Sequence, residues 1–155
     1  MLLDANDFST LDDSQRLAVL ETMVIGLLAD NKVGAAEVRR FDEIVLDLPW
    51  GVPRNVLVSM ITGARNRLVA LKTPDQFRDH LIQIAEKLPS PELRDKVVYT
   101  MATIMYADGE VDQLEKNMLG MFVTTWAITS ERVAAIKARL LRTPAPPPTP
   151  ATETN

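Results

Sequence analysis

Apolar residues recur at three- and four-residue intervals along most of the chain, the spacing of helices with one buried face. Leu17, Leu20, Val24, Leu27 and Leu28 predict a first helix that ends near Asp30. Past a short link, Glu37, Val38, Phe41, Ile44, Val45 and Leu48 predict a second, stopped by Pro49-Trp50-Gly51-Val52-Pro53. A third starts near Arg54, with Leu57, Met60, Ile61, Ala64, Leu68 and Leu71 on one side. Thr73-Pro74-Asp75-Gln76 supplies a hydroxyl cap, a proline at the first helical position and a glutamine that completes a capping box. It opens a fourth helix, with Phe77, Leu81, Ile84 and Leu88 facing the core.

Ser90-Pro91-Glu92 opens a fifth helix in the same way, and Leu93, Val97, Val98, Met101, Ile104 and Met105 carry its stripe to Asp108. Asp112, with Glu115 three residues later, reads as the start of a sixth, whose expected stripe is Leu114, Met118, Met121 and Phe122. A seventh runs from Thr129 or Ser130 through Val133, Ile136, Leu140 and Leu141. The pattern therefore predicts an all-α fold of about seven helices in one compact bundle, with a lead at 1–11, a domain at 12–142 and a tail at 143–155. Five of the ten prolines fall in that tail, which cannot continue a helix and is expected to be disordered or polyproline II. It contains P-x-x-P spacing, Pro144 to Pro147, read as part of a flexible terminus.

With 155 residues, 46% of them hydrophobic, the chain can bury one sizeable core. A net charge of −4 argues against nucleic acid as a partner. The absence of cysteine removes disulfides, thiolate metal sites and thiol nucleophiles, and fits a cytoplasmic location. The first residues lack the basic and apolar regions of a secretory signal. The most apolar stretch, 17–29, is too short to span a bilayer and holds Glu21, so no transmembrane segment is expected. No acidic residue occurs between residues 52 and 72, a basic run read as a solvated helix face. His80, the one histidine, has no second histidine or cysteine to complete a metal set and reads as an ordinary surface or boundary residue.

Placing Asp30 on Asp108, an offset of 78 residues, aligns two segments without a gap. Thr22/Thr100, Met23/Met101, Ala29/Ala107, Asp30/Asp108, Val33/Val111 and Glu37/Glu115 are then identical. Each copy reads helix, A-D-x-x-V-x-x-x-E, helix, which predicts two related helical hairpins. This motif, clearest in Ala107-Asp108-Gly109-Glu110-Val111, resembles the tellurite-resistance TerB-like family, and also the TerB-like domain at the N-terminus of some DnaJ-like co-chaperones. The first copy has Asn31 where the family pattern favours glycine, a residue that also tolerates the left-handed conformation of a helix terminus. The resemblance covers most of residues 17–141 and implies an all-α fold of about seven helices. It also implies a stress-associated, non-enzymatic role with a protein partner, one that in this family is linked to the membrane.

Asp108, Glu110, Asp112 and Glu115 bunch four carboxylates at one turn, and facing hairpins would add Asp30 and Glu37. Such hard oxygen ligands suit a divalent cation, Ca²⁺, Mg²⁺ or Mn²⁺. The site is not an EF-hand, because Gln113 and Leu119 stand where that loop needs glycine and a bidentate glutamate. The same residues also read as helix caps, with Asp112 and Glu115 forming a box and Gly34 and Glu37 doing similar work upstream. Asp30 and Asp108 fit that reading least, since a carboxylate at a helix C-terminus opposes the macrodipole. No nucleophile elbow, phosphate-cradling loop or dinucleotide fingerprint is present, so an enzyme is not expected. A metal-dependent hydrolase built on Asp30, Glu37, Asp108 and Glu115 is the weakest alternative, and a purely structural adaptor the stronger one.

Overall fold

The computed structural model describes residues 2–28, 34–107, 109 and 113–142. Among them are eight helices and no strand: α1 (Ala5–Phe8), α2 (Asp13–Leu28), α3 (Ala35–Val45), α4 (Arg54–Val69), α5 (Pro74–Lys87), α6 (Pro91–Met105), α7 (Gln113–Thr125) and α8 (Ser130–Arg142). The seven predicted helices are α2 to α8. The addition is α1, a single capped turn in the lead: Asp4 accepts from the Asp7 N–H and Asp7 from the Asp4 N–H. Four residues are too few to show a helical period. The tail at 143–155 lies outside the described residues.

The lead is nonetheless anchored. Leu3, Phe8 and Leu11 are buried, the Leu3 N–H donates to the Thr100 hydroxyl at 3.0 Å, and Lys96 pairs with Asp7 at 3.0 Å. Phe8 meets Trp50 edge-to-face at 4.8 Å, and Arg16 donates to the carbonyls of both residues. The lead, the start of α2 and the α3–α4 link thereby form one corner.

The centre is the α2–α6 pair, the most extensive helix contact in the molecule. Residues 18–26 of α2 and 97–105 of α6 are buried without interruption, as in a helix surrounded by others. Their backbones approach closely at Gly26, where a β-carbon would lie 2.8 Å from the Met101 carbonyl oxygen. Thr22 and Thr100 are both fully buried, and each hydroxyl donates to the carbonyl four residues earlier, Ala18 and Lys96. Helices α3, α4 and α5 pack on α2, while α7 and α8 pack on α6.

Two ends are fixed by tryptophan. Trp50 Nε1 donates to the Val45 carbonyl at 2.7 Å, and Trp126 Nε1 to the Leu81 carbonyl at 2.9 Å, tying the end of α7 to α5. Past α7, the Ile128 N–H bonds the Val123 carbonyl and the Ala127 N–H that of Thr124. This is a Schellman turn with alanine, at φ 52°, in the left-handed position where glycine is usual.

Candidate functional site

The predicted carboxylates divide sharply. Glu37 and Glu115 are described; Asp30, Asp108, Glu110 and Asp112 lie outside the described residues. Among the described residues no group of three or more His, Cys, Asp or Glu side chains is placed to hold a metal ion. Gly109, at the turn between α6 and α7, has φ 79°, a conformation that costs glycine little.

Both described glutamates are buried, Glu37 at 4% exposure and Glu115 at 3%. Glu37 stands in the first turn of α3, and its Oε1 accepts the Gly34 N–H at 2.7 Å. Gly34 offers no side chain in return, so only the reciprocal half of a capping box forms. Glu115 stands in the first turn of α7.

Burial on both helices departs from the predicted stripes in the same way. Val38 and Leu114, expected inside, are exposed at 39% and 51%, while the adjacent glutamates take the inward positions. In α3 the buried face runs Glu37, Phe41, Val45, and in α7 it runs Glu115, Leu119, Phe122. Each spacing keeps the three side chains on one strip of helix. Capping does not require burial, because the corresponding Gln76 of α5 binds the Thr73 N–H from an exposed position. A buried carboxylate carries a desolvation cost that an exposed cap avoids. Both α3 and α7 therefore bury a carboxylate in their first turn.

A second polar cluster was not anticipated from the sequence. Glu21, at 5% exposure in the middle of α2, meets Arg67 of α4 at 3.0 Å and His80 of α5 at 3.4 Å. The histidine contact is within ion-pair reach but is not aligned as a hydrogen bond. Burial pushes the Glu21 carboxyl up, yet His80 and Arg67 outweigh it and hold the group below the usual carboxylate range. The available signal was a lone acid in an otherwise apolar helix, which has to find a counter-charge when buried. The cluster ties α2 to α4 and α5 through one buried carboxylate. Asp95 of α6 shifts the other way: burial pushes it up despite Arg132 of α8 at 3.2 Å.

No described helix is long and apolar enough to cross a membrane. No curated protein and no solved structure matches the chain. The family model of tellurite resistance protein TerB matches residues 16–138, which takes in most of α2, all of α3 to α7 and most of α8. With that match over most of its length, the chain belongs to the TerB family of tellurite-resistance proteins.

Proposed function

We propose that this protein is a non-enzymatic, cytoplasmic binding module of the tellurite and stress response, which takes up a divalent cation at its acidic turns and acts on a protein partner. The observation that carries the reading is the paired inward turn of Glu37 and Glu115 at equivalent places in two hairpins. The donor set, Asp30, Glu37, Asp108, Glu110, Asp112 and Glu115, is all carboxylate oxygen, which suits Ca²⁺, Mg²⁺ or Mn²⁺ and not a soft metal. One oxygen of Glu37 is engaged by the Gly34 N–H, which fixes the carboxylate's orientation in the manner of an outer-shell contact. Calorimetric titration with each cation tests the reading. It predicts heat of binding for at least one of Ca²⁺, Mg²⁺ and Mn²⁺, abolished in Asp30→Ala/Asp108→Ala; no heat with any of them would refute it.

A purely structural adaptor is the second reading. Its support is an open hollow of about 430 Å³ at the α3–α4 link, lined by Leu48, Trp50, Val52, Arg54 and Leu57 among others. In that case the carboxylates only cap helices, and substitutions in the hollow, not at the turns, would abolish partner binding.

A further inference from the structure

Helices α4 and α5 carry complementary outward strips. At 100° per residue, Arg54, Val58 and Arg65 lie within about 40° of one another around α4, and Asp75, Ile82 and Glu86 within about 40° around α5. All six are exposed, with Val58 at 52% and Ile82 at 41%. Val58 and Ile82 are each flanked along their strip by charges of one sign.

The spacing matches when one strip is read backwards. From Arg54 to Val58 is four positions and to Arg65 eleven; from Glu86 to Ile82 is four and to Asp75 eleven. Two antiparallel helices in that register place Arg54 opposite Glu86, Val58 opposite Ile82 and Arg65 opposite Asp75. The charges at the two ends of each strip are separated by about 16 Å of helix rise. A parallel register still matches the charges but sets Val58 against Asp79. Among the described residues Arg54, Arg65 and Glu86 make no ion pair, and Asp75 has only the exposed Arg78 beside it. Such an exposed pair exchanges readily for another.

We infer that the outward strip of α4 docks antiparallel on the α5 strip of a second copy of this chain. Two solvent-accessible ion pairs around one aliphatic contact give a weak association. Salt at 0.5 M, an illustrative level of about 4 Å Debye length, weakens it. An acidic protein or an anionic bilayer would match the basic strip alone, without accounting for the acid–isoleucine–acid strip at the same spacing. A bilayer would also favour larger apolar side chains than valine.

Sedimentation equilibrium of the full chain tests the inference, with Arg54→Glu/Arg65→Glu as one variant and Asp75→Arg/Glu86→Arg as the other. All four positions are exposed, so circular dichroism of both variants should match the wild type. The expected result is a wild-type mass that rises above the monomer with concentration, at least about tenfold weaker association in each variant, and recovery when the two are mixed. A wild type that stays monomeric to about 1 mM overturns the inference. So does association that both variants retain, or a mixture that fails to recover. A monomeric wild type that sediments with anionic vesicles overturns it in favour of a membrane surface.

Discussion

The Glu21–Arg67–His80 cluster makes a prediction whose sign depends on which partner is removed. Glu21's side chain is 6% exposed and Arg67's 48%. In Glu21→Gln the arginine loses its counter-charge but can turn to water, and the amide still offers an acceptor, so the cost is about 1 kcal/mol. In Arg67→Met the carboxylate stays buried with only His80 beside it, and the cost rises to about 2–3 kcal/mol. For a chain of this size each kcal/mol moves Tm by about 2–4 °C, so Arg67→Met should melt roughly 4–12 °C lower. The double variant should recover most of that loss, because it leaves neither charge stranded. Acid supplies an internal control. Glu21 titrates lower in the folded state than the ordinary glutamate value of 4.5, so its stabilisation is present above that pH and is lost as pH falls through the folded value. The gap between wild type and Glu21→Gln should therefore close below about pH 4.5. Comparing the two proteins isolates Glu21 from Asp95, whose raised value acts with the opposite sign. Urea melts at neutral and acid pH measure all of this. A Glu21→Gln variant less stable than Arg67→Met at neutral pH, or a gap unchanged in acid, would refute the reasoning.

Three further substitutions test the packing. Gly26→Ala forces a β-carbon to 2.8 Å from the Met101 backbone, and chemical denaturation should show a loss of about 1–3 kcal/mol even though alanine is the better helix former. Ala127→Gly relieves the left-handed alanine after α7 and should raise stability by about 0.5–1 kcal/mol, seen as a higher Tm; a lower one would contradict the Schellman assignment. Phe8→Ala, at 1% exposure in the lead, should cost about 3–5 kcal/mol in the same denaturation assay, whereas a neutral result would show the lead to be dispensable.

Most helices were legible because their starts and stripes were chemically explicit. The Thr73 and Ser90 caps with proline at the next position place the starts of α5 and α6 to the residue. α1 was missed because its stability comes from Phe8, Leu3 and the Thr100 hydroxyl, contacts 42 to 97 residues away in sequence. Val38 and Leu114 were assigned inward on hydropathy, but the adjacent glutamates hold those positions, so polarity misled where polar burial occurs. His80, expected at the surface or its boundary, is 15% exposed at its side chain and lies against Glu21, a neighbour that spacing could not identify. Of the candidate cation ligands, the sequence placed all six at two turns, and the structure describes the burial of Glu37 and Glu115 alone.

The most direct test of the cation reading uses Glu37→Gln/Glu115→Gln. Glutamine can still accept a hydrogen bond at a helix N-terminus, so the exchange preserves capping and removes the charge a cation needs. Thermal unfolding of wild type and variant should be followed with Ca²⁺, Mg²⁺ or Mn²⁺ present. A ligand at one hundred times its Kd adds about 2.7 kcal/mol to the native state, a rise of roughly 5–11 °C for a chain of this size. The account predicts such a rise in the wild type with at least one cation and its loss in the variant. Equal melting temperatures with and without every cation, or an equal rise in both proteins, would contradict it.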